Sequence, residues 1–258
     1  RNENRPAGYQ ALIDRFKLDG IPNWHTSYVA PNNSHRMETH EGLTEETYPS
    51  RYWPGCKLGD HLEFALKYDG TNLAVLAGIF QEAPREEFQE YVASKPRGKY
   101  ARRLWFLYEL LTGSRIPIDD LKTGGYVDLL EPKQYYTVAQ PRQVRRQRIN
   151  DNLLGTAEFC PIIRRTDELR DFEEAGLTER CREVLSVYPP GLLKRALSYL
   201  YTKETKSSFE IEHIKPTSTR TERFIALLQL AEKEDFCGKP HLIDLQNRTV
   251  DPRFKDSD

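Results

Sequence analysis

A mainly α-helical fold with one small β element is what this sequence predicts, and three observations predict it. From Leu58 onward, apolar residues recur at spacings of three and four, the period of a helix with one buried face. Gly and Pro interrupt those runs where helices would end, as at Asp69-Gly70, Ala83-Pro84 and Gly113. Only residues 114–165 lose the helical period. There, residues 127–129 and 135–138 alternate weakly, which predicts a β-hairpin near residues 126–138.

Taken in order, residues 1–57 read as an irregular N-terminal arm, rich in Pro, Asn and Gly with scattered aromatics. A short strand or extended segment is expected over residues 43–52. A first helix holds Leu62, Phe64, Ala65 and Leu66, and a second holds Leu73, Leu76 and Phe80. A third begins at Pro84, since Pro suits a first helical position. Residues 99–112 form the next, with Leu104, Leu107, Tyr108 and Leu111 on one face and Gly113 as C-cap. Its first turn carries Lys99, Arg102 and Arg103. Cations there oppose the helix dipole, so an acidic partner is expected, most commonly an internal one. Helices resume over residues 167–175 and 178–187.

Tyr188-Pro189-Pro190-Gly191 is the strongest break in the chain. It separates a mostly helical accessory module, residues 58–188, from a final region, residues 191–258. A long helix is expected over residues 192–214, stopped by Pro216. Thr219 and Glu222 form a capping box for the following helix, and a last short helix is expected over residues 240–248.

Composition narrows the function classes. With 38 basic and 39 acidic residues the net charge is -1, so no global field draws nucleic acid or membrane. No run of eighteen apolar residues exists, and no apolar stretch follows the N-terminus as a signal peptide would require. Cys56, Cys160, Cys181 and Cys237 are far apart and form no Cys-x-x-Cys, so no metal site is predicted. Such cysteines suit a reducing cytoplasm. The single Met is Met37, which predicts that the sequence lacks its start.

Two local patterns carry chemistry. On a helix, positions four apart share a face, so Ser208 and Glu212 would point the same way. The second pattern is the basic run that contains Arg142, Arg145, Arg146 and Arg148, close in sequence to Tyr135 and Tyr136. Arginines beside aromatics can bind a nucleic-acid backbone and stack bases. A solvated, salt-bridged segment is the plainer reading, and the one the charge balance favours. Neither Cys237/His241 nor Gly124-Gly125 completes a metal or phosphate site.

Beyond those patterns, three stretches resemble Fic-family proteins, which transfer AMP from ATP to protein hydroxyls. They are residues 102–113 (RRLWFLYELLTG), residues 145–155 (RRQRINDNLLG) and residues 196–228, which include Ser208 and Glu212. The family's inhibitory pattern is Ser/Thr-x-x-x-Glu-Gly/Asn, and His213 stands where Gly or Asn is usual. The resemblance implies that Glu212 is an inhibitory carboxylate with Ser208 as its motif partner. In the family this Glu pairs with an Arg of the catalytic loop and blocks placement of the ATP γ-phosphate. The family's His-Pro-Phe-x-Asp/Glu-Gly-Asn-Gly-Arg loop is absent, and none of the six His is followed by Pro-Phe. The expectation is therefore a regulatory, target-recruiting region, inactive alone, with no catalytic residue and no metal ligand of its own. ATP and Mg would belong to the complete protein, and the sequence is expected to continue past Asp258. The partners implied are a Fic catalytic core, in the same or a separate chain, and an unidentified target protein, with no membrane. The alternatives are a nucleic-acid-binding module and a stand-alone inhibitor of a separate Fic protein.

Overall fold

The computed structural model of the chain describes residues 4–18, 20–156, 159–211, 222 and 238–249. Among these residues helix accounts for 49% and strand for 14%, and the strands form two small sheets. The fold is therefore mixed α/β, with more helix than strand, rather than mainly α with one β element. The chain divides into two compact units, residues 1–170 and 171–258. The expected break at residues 188–191 falls inside the second unit.

The first unit begins with β1 (Arg5–Ala7) and α1 (Gly8–Phe16), followed by β2 (His25–Val29), β3 (Arg36–His40) and β4 (Leu43–Tyr48). These strands form a four-stranded sheet in the order β1-β2-β4-β3, with β2 and β4 parallel and the other pairs antiparallel. The irregular arm expected over residues 1–57 is thus a helix and a sheet. It escaped the sequence pattern because the buried face of the sheet is polar. His25, Ser27 and Val29 point inward from β2, level with Thr44, Glu46 and Tyr48 on β4. β3 is exposed along its whole length.

Helices α2 (Leu58–Phe64), α3 (Leu73–Glu82), α4 (Arg85–Ser94) and α5 (Lys99–Thr112) follow. A five-residue π turn, Ala65–Asp69, extends α2. These helices form where the apolar spacing places them, because their stripes bury one another. Leu58, Leu62, Leu76, Ile79, Phe88, Leu104 and Trp105 are at or near zero exposure in one continuous core.

The second sheet joins β5 (Val127–Asp128), β6 (Arg142–Val144) and β7 (Ile149–Asp151) in the order β5-β7-β6. The hairpin expected over residues 126–138 is not formed. Instead β5 pairs in parallel with β7, the hairpin is β6–β7, and Tyr135 bridges to Arg164. The basic turn at residues 145–148 is what closes this hairpin. Helix α5 holds the sheet through the cations of its first turn. Arg102 Nε donates to the Gln147 carbonyl at 2.7 Å, Arg103 Nε to the Asp128 carbonyl at 2.8 Å, and Lys99 pairs with Glu131 at 3.2 Å. The cost of cations at a helix N-terminus is thus offset by the chain itself.

The second unit contains α7 (Leu177–Ser186), α8 (Pro190–Ile211) and α9 (Lys239–Thr249), and α6 (Asp167–Glu174) spans the boundary. Among the described residues no helix is long and apolar enough to cross a membrane.

Gly59 gives a direct test of the packing. A Cβ there would stand 2.0 Å from Cδ2 of the Tyr91 ring, which is buried against α2. Gly59→Ala is expected to destabilise the chain by about 2 kcal/mol through overpacking. A denaturant midpoint equal to that of the wild type would show that α2 and α4 do not pack this closely.

Candidate functional site

The inward polar face of β2 and β4 meets the end of the π turn at one buried carboxylate. Asp69 is 2% exposed. Its Oδ1 accepts from the Ser27 hydroxyl at 2.5 Å, and its Oδ2 accepts from the Tyr9 backbone N–H at 3.0 Å. Helix α1 has no side-chain cap of its own, so Asp69 caps it from sixty residues away. Gly8 makes this approach feasible. Its φ is +59°, and a Cβ there would lie 2.1 Å from Asp69 Oδ2. Arg164 donates to the Asp69 carbonyl.

Tyr9 extends the junction. Its hydroxyl donates to the Gly70 carbonyl at 2.9 Å and accepts from the Asn72 N–H at 3.3 Å. The Thr71 N–H donates to the Tyr135 hydroxyl at 2.9 Å. Asn72 is the N-cap of α3, accepting from Val75 N–H, and its amide also donates to the Pro22 carbonyl at 3.0 Å. The loop that leads into α3 is therefore fixed at every residue from Asp69 to Asn72.

Beside it lies a second polar group. Glu46 accepts from the Tyr48 hydroxyl at 2.6 Å and contacts His25 Nε2 at 3.1 Å and His35 Nε2 at 2.8 Å. Burial alone would raise the Glu46 carboxyl, but the hydrogen bonds from Tyr48 and His35 outweigh it and hold the carboxyl below its usual range. Burial pushes His25 down, against the pull of Glu46. The pair is therefore a neutral imidazole donating to an ionised carboxylate. Burial also pushes Asp69 up, to about 7, because the hydrogen bonds from Ser27 and Tyr9 only partly compensate.

Above Asp69 the surface opens into a cleft of about 280 Å³. Tyr9, His25, Asn72, Asn23, Trp24 and Arg164 are among its walls. Ser27 is fully buried below, so its hydroxyl is a structural donor and no nucleophile. The arrangement is suited to binding.

Arg142, Arg145, Arg146 and Arg148 are not among the described walls of this cleft. Ser208 lies in the last turn of α8, and Glu212 lies outside the described residues. Arg142 pairs with Asp151 at 2.9 Å. Arg146 pairs with Glu109 at 2.9 Å and Asp120 at 2.5 Å and lies over the Trp105 ring. Arg148 lies over Tyr126, and Arg145 is exposed. Three of the four arginines are thus engaged by neighbouring groups, and they form no continuous free patch. Among the described residues no cluster of three or more His, Cys, Asp or Glu is arranged to hold a metal ion. The sequence reading missed the Asp69 junction and the cleft. The one signal available was the alternation of residues 25, 27 and 29, which reads as a strand only if polar residues are allowed on its buried side.

No protein-family model, curated protein or solved structure matches this chain.

Asp69 makes stability depend on pH in a definite direction. Its folded pKa, about 7, stands above its ordinary value of 3.8, so the folded state holds this proton more tightly than the unfolded chain. The Asp69 contribution is fully present below about pH 4 and is lost as pH rises to about 7, by up to about 4 kcal/mol. A carboxyl NMR titration should place Asp69 near 7. A midpoint near 4 would mean that the carboxylate is solvated.

Proposed function

We propose that this chain is a regulatory region of a Fic-type protein adenylyltransferase, with the end of α8 as its inhibitory element. The observation that carries the reading is α8 itself. It is one uninterrupted helix of 22 residues, it holds Ser208 in its last turn, and it runs directly toward Glu212 in the sequence. A carboxylate at the end of such a helix can engage an arginine bidentately, and one such pair is strong enough to hold a nucleotide site off. Glu212 would be that carboxylate, and the arginine would come from the catalytic core.

The other two stretches that resemble the family coincide with α5 and with the β6–β7 hairpin. Arg102, Glu109 and Arg146 link them. The resemblance of these stretches is, in this reading, one of scaffold rather than of reaction. In this reading the chain transfers no AMP by itself. ATP and Mg bind the catalytic core, whether that core lies in the same polypeptide or in a separate one. The first unit serves to recruit the target protein, and the setting is the cytoplasm. The cysteines Cys56, Cys160 and Cys181 are free, as a reducing setting favours.

The test is AMP incorporation from labelled ATP by the Fic catalytic core, measured with the wild-type chain and with Glu212→Gly. Release of the inhibitory pair should raise the rate about tenfold or more. Equal rates at saturating ATP and Mg would remove the inhibitory role. An encoded protein without a catalytic core, and a chain that changes no Fic enzyme in trans, would remove the reading altogether.

A further inference from the structure

The described walls of the cleft above Asp69 all belong to the first unit, and its chemistry is independent of the Fic reading. Three features of its walls point to one kind of ligand. Arg164 stands exposed at the rim. Its guanidinium donates to the Asp69 backbone carbonyl, and among the described residues it makes no ion pair. The Asn23 amide nitrogen is buried and has no hydrogen-bond partner among the described residues. Thr71, Asn72 and Leu73 bring the amino end of α3, a helix of ten residues, to the same wall. The first backbone N–H groups of any helix have no intrahelical acceptor, and that end carries partial positive charge. The cleft thus presents a cation without an ion pair among the described residues, an unpartnered amide nitrogen and a helix amino end that Asn72 caps only in part.

Asp69 does not cancel this field. Its oxygens are turned into the core toward Ser27 and the Tyr9 N–H, and its burial keeps it partly protonated near neutral pH. His25 is neutral and commits Nε2 to Glu46. Trp24 also lines the cleft and is 58% exposed, an unusual degree for so large an apolar residue. An aromatic face beside a polar pocket suits a planar ring.

We propose that this cleft binds a small oxyanion that carries a planar ring, a carboxylate or a phosphate monoester, with the oxyanion at Arg164 and the ring against Trp24. The Asn23 amide donates to a remaining oxygen, and the partial positive charge at the amino end of α3 favours the anion. A cleft of about 280 Å³ takes a ligand of one ring and one acidic group.

Calorimetric titration of the chain with phenyl phosphate, benzoate, inorganic phosphate and benzyl alcohol tests this. Phenyl phosphate or benzoate should bind with Kd below about 1 mM, at least about tenfold tighter than benzyl alcohol. The tighter of the two identifies the oxyanion. Inorganic phosphate alone should bind more weakly than phenyl phosphate, because it lacks the ring. Arg164→Gln and Trp24→Ala should each weaken binding about tenfold. Trp24 is exposed, so Trp24→Ala keeps the test decisive even where Arg164→Gln disturbs the Asp69 loop. Binding of benzyl alcohol equal to that of the oxyanions, wild-type binding in Trp24→Ala, or no heat with either aromatic oxyanion overturns the proposal.

Discussion

The first unit depends on one buried carboxylate. Asp69 ends the π turn that follows α2, caps α1 through the Tyr9 N–H, and receives the hydroxyl of Ser27 on β2. Three separate elements therefore meet at two oxygens. Burial raises this carboxyl, its two hydrogen bonds only partly offset the desolvation, and losing one donor would leave a buried oxygen unsatisfied. The position of α1 over the sheet, the path of the loop into α3 and the floor of the cleft all follow from where this group sits. A hydrophobic contact is non-directional and could not fix these three together. A carboxylate with two assigned donors can, because each hydrogen bond has a direction.

A second polar hub does the same at the other end of the core. Glu109 on α5 accepts from Arg146, from Trp105 Nε1 at 2.9 Å, from Gln147 Nε2 at 2.7 Å and from the Ile116 N–H at 3.1 Å. Those donors hold its carboxyl below the usual range, although burial alone would raise it. Arg102 and Arg103, at the start of the same helix, satisfy backbone carbonyls of residues 125–148. Both ends of α5 are thus used to seat a segment that has little regular structure of its own. Residues 113–126 run as loop with partners from Glu109 and Arg102 of α5 and from Arg146 of the β6–β7 turn.

The helices of the first unit were legible in the sequence because their cores are apolar. Leu62, Leu76, Phe80, Leu104 and Leu107 recur with the helical period, and all are buried. The first sheet was hidden for the opposite reason. His25, Ser27 and Glu46 occupy its inward positions, so the alternation that marks a half-buried strand joins polar residue to polar residue. The second sheet was misassigned for a third reason. Parallel pairing of β5 with β7 joins residues more than twenty apart, and no local pattern encodes such a partner. The cleft inherits both difficulties. Its walls come from residues 9, 23–25, 42, 44, 69, 71–73, 162 and 164, which share no sequence motif.

The arginines show how far composition can mislead about function. Arg142, Arg145, Arg146 and Arg148 lie within seven residues, the density expected of a nucleic-acid contact. Their density has another origin. They lie on and around the tight β6–β7 turn, which brings them within reach of Asp151, Glu109, Asp120 and the ring of Tyr126. Arg146 alone engages two carboxylates and an indole, and such a half-buried cation is held by geometry rather than offered to a partner. Arg164 has the opposite status. It lies beside Arg165 and outside that run, and its guanidinium stands at a cleft rim without an ion pair among the described residues. Charge available for binding is what remains after the fold has used its share, and a sequence count does not perform that subtraction.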